Sequence, residues 1–268
     1  MRRALFRRAA VRRTAAALSV VSLSLLVGAC GADAPAPAKG GDKAAPSAPA
    51  QPAEQAAKAL TAAELEKVAL AQGDVPTHLV TPGTKADEAA AGSVKADRAE
   101  CKPLLDALAA VPQGTPGAHV LRKAVEKPAK MKVDPKASAE EKAKAGLNAL
   151  SQPVTAERLA SYEGKGAQEA FAGLAKAGKA CAGGFGGQQG GDKLRIASVT
   201  PDAVSGGDEA QGWTFQMKAQ GPDESDVVMK LAAVRKGGTL ATFYTISLGG
   251  TVKTQPTAVI EAQLRKLG

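Results

Sequence analysis

The stretch Val227-Val228-Met229-Lys230-Leu231-Ala232-Ala233-Val234-Arg235, then Lys236-Gly237-Gly238-Thr239, then Leu240-Ala241-Thr242-Phe243-Tyr244-Thr245-Ile246-Ser247-Leu248 decides the fold. Two runs rich in β-branched and aromatic residues flank a pair of glycines, and glycine supplies the left-handed backbone that a tight strand connection needs. The stretch therefore predicts a β-hairpin. Upstream, Trp213, Phe215 and Met217 alternate with Thr214, Gln216 and Lys218, the pattern of a half-buried strand. Leu194–Val199 is β-prone, and Val154–Tyr162 reads as a weaker strand.

Helical signals lie outside this block. Thr61-Ala62-Ala63-Glu64 is a capping box, with Leu60 and Leu65 placed to staple across it. Leu65, Val68 and Leu70 continue that helix until Gly73 and Pro76 end it. A second helix starts near Lys102-Pro103 and carries Leu104, Leu105, Leu108 and Val111 on one stripe. A third, Ala167–Ala180, has Phe171, Leu174, Gly178 and Cys181 on one face, and the glycine-rich run Gly183–Gly191 after it reads as a mobile connector. Val259, Ile260, Leu264 and Leu267 form a closing amphipathic helix after Pro256. Strands in runs beside segregated helices predict an α+β fold rather than a doubly wound one. No internal repeat is present.

The first thirty residues are of a different kind. Met1–Arg13 is arginine-rich and free of acids, and Ala15–Ala29 is apolar or small over 15 residues. A membrane-spanning helix needs about 20. A basic region, a short apolar region and small residues before a cut describe an export signal over residues 1–29. Val27-Gly28-Ala29-Cys30 resembles the lipobox of bacterial lipoproteins, which implies that Cys30 is alkylated by a diacylglycerol and becomes the first residue of the mature chain. Acyl chains in pairs anchor stably where one is marginal. An ordinary signal peptide with a chance cysteine, or an uncleaved anchor, would give similar composition. The arginine pairs leave the general and the twin-arginine export routes both open. From Gly31 to Lys58 the chain is mostly Ala, Pro, Gly, Lys and Gln with no large apolar residue, which predicts a disordered tether over residues 30–59. The domain proper is then expected over residues 60–268.

The formal charge of +9 suggests a polyanionic partner, but six arginines precede Cys30 with no acid among them, and without them the balance is +3. Nucleic acid is therefore not an expected partner. The Lys123–Lys144 stretch holds seven lysines against four acids without an interleaved aromatic. It reads as a polar insertion, a solvated loop with a short charged helix, with contact to anionic wall polymer or lipid headgroups as the functional alternative. Two cysteines remain besides Cys30, and in an exported protein an isolated pair, Cys101 and Cys181, reads as a disulfide. A redox-active pair would want a local CxxC arrangement, which is absent.

Searches for chemistry come back empty. His78 and His119 are far apart and without partners at metal-ligand spacing. No G-x-S-x-G occurs, nor the serine–lysine motif set of penicillin-binding enzymes. Gly183–Gly191 follows a helix and precedes a strand, the reverse of a phosphate-binding loop. Asp223, Glu224 and Asp226 lack calcium-loop spacing. No metal and no cofactor are expected, and no catalytic residue is assigned.

From Leu60 onward, several short motifs occur in a familiar order: Leu60-Thr61-Ala62-Ala63-Glu64-Leu65, Asp74-Val75-Pro76, Cys101-Lys102-Pro103-Leu104, Ser161-Tyr162-Glu163, Cys181-Ala182-Gly183-Gly184-Phe185, Gly207-Asp208-Glu209-Ala210 and Val234-Arg235-Lys236-Gly237. Together they resemble the extracytoplasmic sensor-like domains of actinobacterial lipoproteins, which are similar to the sensor domain of receptor-type serine/threonine kinases. The resemblance implies a twisted antiparallel sheet with helices packed on one side and a cleft. The kinase sensors carry a second disulfide that this chain cannot form. The expected function is a membrane-anchored, extracytoplasmic, non-catalytic ligand-binding or sensor-like domain, with an envelope assembly or interaction factor as the alternative. The expected partners are the membrane, through the lipid, and an unknown ligand or envelope component. A pocket is expected beside Trp213, where an alanine-rich helical layer would leave a concavity over a strand of bulky residues; the alternative is that Trp213 is simply core.

Overall fold

The computed structural model of the 268-residue chain describes residues 58–90, 92–127, 137–218, 226–247 and 251–268. The expected export signal, Cys30 and all but the last two positions of the expected tether fall outside the described residues, as do Asp223, Glu224 and positions 128–136 of the lysine-rich stretch. The described residues form one sheet of nine strands: β1 (His78–Pro82), β2 (Val94–Ala96), β3 (Ala118–Glu126), β4 (Val154–Ser161), β5 (Phe185–Gln189), β6 (Asp192–Asp202), β7 (Glu209–Met217), β8 (Val227–Lys236) and β9 (Thr239–Ile246). Their spatial order is β1-β3-β4-β9-β8-β7-β6-β5-β2, and every neighbouring pair is antiparallel. The quoted hairpin is β8–β9, in the middle of the sheet. Lys236 pairs with Thr239 across the turn, and Gly237 there takes φ +55°, a conformation that side-chain-bearing residues avoid.

Five helices accompany the sheet: α1 (Ala62–Val68), α2 (Lys102–Leu108), α3 (Ala139–Leu150), α4 (Gly166–Ala180) and α5 (Thr257–Leu267). The α+β class holds, but the layering differs from the expected one-sided arrangement. Successive strand residues point to opposite faces. Met229, Leu231 and Ala233 of β8 join a core with α2 and α4, whereas Ala232 and Val234 join a second core with residues of α1 and α5. Helices therefore cover both faces. The physical reason is in β8 itself: Leu231 to Val234 are apolar at consecutive positions, so neither face can be left in water.

On the α2/α4 face, Cys101 and Cys181 are joined in a disulfide with Cα atoms 5.8 Å apart, tying the start of α2 to the end of α4. Arg98 reinforces this corner, donating to the carbonyl oxygen of Ala180, at the end of α4, at 3.0 Å and to that of Gly184, beyond the helix, at 3.4 Å. Helix α4 lies directly on Trp213, which is 2% exposed. A Cβ at Gly178 would overlap the indole nitrogen. The expected concavity beside Trp213 is thus closed: a glycine lets the helix descend onto the ring instead of bridging over it.

Two further expectations are corrected. Part of the Gly183–Gly191 run is strand β5, not a mobile connector. A Cβ at Gly187 would come within 2.7 Å of the Leu105 side chain and 2.8 Å of the Lys95 carbonyl oxygen, so close packing demands glycine there. The Lys123–Lys144 stretch is not one insertion. Lys123–Glu126 completes β3, with Lys123 paired to Asp87 at 2.8 Å, and α3 begins at Ala139.

Candidate functional site

The α1/α5 face of the sheet is apolar at one end and polar at the other. Thr61 caps α1, accepting from the Glu64 N–H while Glu64 accepts from the Thr61 N–H, so the expected capping box is present. Leu65 and Leu70 are fully buried with Leu159, Phe243 and Val259. Beyond them runs a row of polar residues in register: Thr155 of β4 opposite Thr245 of β9, then Lys230 of β8, then Thr214 of β7. Thr155 and Thr245 are 1% and 2% exposed, and their hydroxyls share a hydrogen bond of 2.9 Å. Lys230 donates to Asp202 at 2.7 Å and to Thr214 at 2.7 Å. Burial raises the Asp202 carboxyl, but hydrogen bonds from Lys230, Thr214 and Gln255 together outweigh it and hold the group below its ordinary value.

Over the Thr155–Thr245 end of this row lies a cavity of about 510 Å³. Its walls come from the start of β1, the end of β3, the segment from Ser151 to Pro153, Ser247, and the residues from Thr251 into the first turn of α5. Gln255 lines it and spans two environments. Its Nε2 donates to Asp202 Oδ2 at 3.1 Å and to the Trp213 carbonyl oxygen at 3.3 Å, with the Leu231 carbonyl oxygen at 3.5 Å. Its Oε1 is buried without a hydrogen-bond partner. At the wall, His78 stands opposite Glu126 in register, and its Nδ1 is 2.9 Å from the Thr77 hydroxyl. Burial pushes the ring below its usual pKa, with Glu126 opposing and Lys127 adding to the fall, so the imidazole is neutral at pH 7.

One position pair along β4 from Thr155, on the same face, sits Glu157, which is 1% exposed. Neither carboxylate oxygen has a hydrogen-bond partner. Its register partner Arg122 spends its donors elsewhere: on the Leu70 carbonyl oxygen at 2.8 Å, on the Leu121 carbonyl oxygen at 3.1 Å, and on Glu66. Burial pushes Glu157 up to about 8, with Arg122 and Lys266 only partly opposing it. The carboxyl is therefore protonated at neutral pH.

The two histidines are not brought together. His119 lies on the opposite face of the sheet, where its Nδ1 is 3.0 Å from Arg158 Nη1; that same nitrogen also donates to Glu88 at 3.0 Å. Burial, then Arg158, lowers the His119 pKa against the pull of Glu88, so the ring serves as a neutral acceptor. Among the described residues no group of three or more His, Cys, Asp or Glu is placed to hold a metal ion. Nor is any described helix long and apolar enough to cross a membrane. Sequence reasoning missed Thr155, Thr245, Gln255 and Glu157 as site residues. Only Glu157 carried a signal, a lone acid in the middle of a β-prone run.

No protein-family model matches the chain, and no curated protein matches it. Among solved structures it is similar to the extracellular domain of PknH from Mycobacterium tuberculosis, at 11% identity and a TM-score of 0.47, covering 78% of this chain and 97% of that one.

Proposed function

We propose that this chain is an exported, lipid-anchored binding protein: Cys30 carries the anchor, and the domain from Leu60 holds a small polar ligand in the cavity above Thr155 and Thr245. The observation that carries the binding reading is the cavity of about 510 Å³ itself, lined by His78, Glu126, Lys253 and Thr254 among others. The cavity volume falls in the range of small-molecule sites, about 300–1,000 Å³. Its lining offers hydroxyls, an amide and a neutral imidazole, groups suited to recognition. The anchoring reading rests on the arginine-rich start, the short apolar run and Val27-Gly28-Ala29-Cys30. A binding domain on a lipid tether outside the membrane would act as a sensor-like receptor for an envelope component.

Native mass spectrometry of the chain purified from its own cells tests the binding half. A discrete retained mass, absent after unfolding and refolding, is expected; protein of the bare polypeptide mass in every preparation would contradict it. The Cys30→Ala variant tests the anchor. It should leave the membrane fraction, and undiminished membrane retention would refute the lipid assignment.

A further inference from the structure

We propose that the sheet face around Arg195 is a second binding site, and that it takes the dianionic phosphoryl group of a soluble phosphomonoester. It shares no lining residue with the cavity over Thr155 and Thr245, so neither reading depends on the other.

Strand β6 sorts its side chains by face. Leu194 and Ile196 pack into the core with α2 and α4, so Lys193 and Arg195, which alternate with them, point to the opposite face. Lys218 directly follows β7, and its N–H donates to the Arg195 carbonyl oxygen at 3.0 Å. It continues the alternation of Thr214 and Gln216 and so stands beside Arg195 on the same face. On the other side the register partner of Arg195 is Gly186, which has no side chain to fill the space. The result is a hollow of about 1000 Å³ lined by Lys193, Arg195 and Lys218 together with Asp97 and Gly186. All three cations are exposed, within reach of a ligand.

Their arrangement points to an anion. Lys193 and Arg195 are two positions apart on one strand, about 7 Å, and Lys218 is one strand over. Like charges set side by side weaken a sheet, so the fold itself gains nothing from this grouping. Among the described residues the Arg195 guanidinium has no partner. Lys218 is paired with Asp226 at 2.6 Å, but both side chains are about half exposed, and such pairs hold weakly. The acid in the lining is already engaged: Asp97 Oδ2 accepts from the Gly186 N–H at 2.9 Å. Three cations against that one carboxylate leave the lining with a surplus of two positive charges. A phosphomonoester complements it, carrying about two negative charges at pH 7 and three acceptor oxygens. The planar fork of Arg195 matches two of those oxygens, and the lysines add point charges. A carboxylate brings only one charge. The hollow exceeds the size of a phosphoryl group alone, which leaves room for the molecule that bears it.

The test is isothermal titration of the full chain, solubilised in detergent at physiological ionic strength, with inorganic phosphate, glycerol 3-phosphate, glycerol and glycerate. Both phosphate probes should bind, glycerol should not, and glycerate should bind more weakly. Binding should weaken as pH falls through about 6, where the phosphomonoester loses its second charge. Arg195→Gln, at an exposed position that the core does not use, should weaken binding by about tenfold or more, the scale of one charge-assisted hydrogen bond. Lys176→Gln removes the same charge from the exposed side of α4, on the other face, and should leave binding within about twofold. Failure of the phosphate probes to bind, equal losses in the two variants, or glycerate binding as tightly as glycerol 3-phosphate would each overturn the proposal. A preference for phosphatidylglycerol doped into the micelles over glycerol 3-phosphate would assign the face to a lipid headgroup and overturn it as well.

Discussion

Replacing Glu157 with glutamine should stabilise this protein, by an amount that grows with pH. Burial lifts the Glu157 carboxyl from 4.5 to about 8, and Arg122 and Lys266 do not bring it back. Between those values the folded protein keeps a proton that the unfolded chain has lost. Unfolding then releases a proton, so this group's contribution is most favourable below about pH 4.5 and erodes as pH rises, until the folded group itself ionises near pH 8. Each pH unit in that window is worth about 1.4 kcal/mol, so the cost reaches about 3 kcal/mol at pH 7 and about 5 kcal/mol near pH 8. Glu157→Gln keeps the shape and the neutral polar character while removing the ionisation. The variant should match the wild type near pH 4.5 and exceed it by about 3 kcal/mol at pH 7. Asp74, Asp87 and Asp202 have lowered carboxyl pKa values and bring the opposite dependence, stability lost in acid. They are common to both proteins and cancel in the difference. Urea unfolding of the two proteins at several pH values from 4.5 to 8 measures it. A stability difference that does not change with pH, or a wild type that gains on the variant as pH rises, would refute a protonated, unpaired Glu157.

Other perturbations follow from the packing. Cys101→Ala/Cys181→Ala opens a covalent link across a sequence separation of 80 residues. Chain-entropy arguments put the loss at roughly 4–5 kcal/mol, so the urea midpoint should fall sharply in the variant and equally in reduced wild type; an unchanged midpoint would deny the link its role. Gly178→Ala should cost roughly 1–3 kcal/mol, because the added methyl meets the Trp213 ring. It should also shift Trp213 emission, and neither effect appears if α4 stands off from the strand.

The central hairpin was legible because its strand propensity and its glycine turn agree, and α4 because Phe171, Leu174 and Gly178 share one helical face. The disulfide was legible from the compartment implied by the first thirty residues and from the arithmetic of three cysteines. What escaped depended on distant partners. β3 was hidden because Lys123 onward read as solvated charge; Arg122 beside it is buried because the Leu70 carbonyl oxygen, 52 positions away, and Glu66 receive its donors. β1 and β2 are edge strands of five and three residues, too short for periodicity to register. β5 looked like a connector because glycine signals flexibility locally, whereas here the space a Cβ would need is already filled by Leu105 and Lys95. The expected pocket beside Trp213 failed for a related reason, since a small residue can draw a helix closer as readily as it can leave a gap. The site itself has no local motif: its floor joins two threonines 90 positions apart.

A crystal structure of the protein taken from its own cells without unfolding tests ligand binding most directly. The predicted result is a small molecule in the cavity bordered by His78, Glu126, Lys253 and Thr254. An empty or collapsed cavity would contradict it.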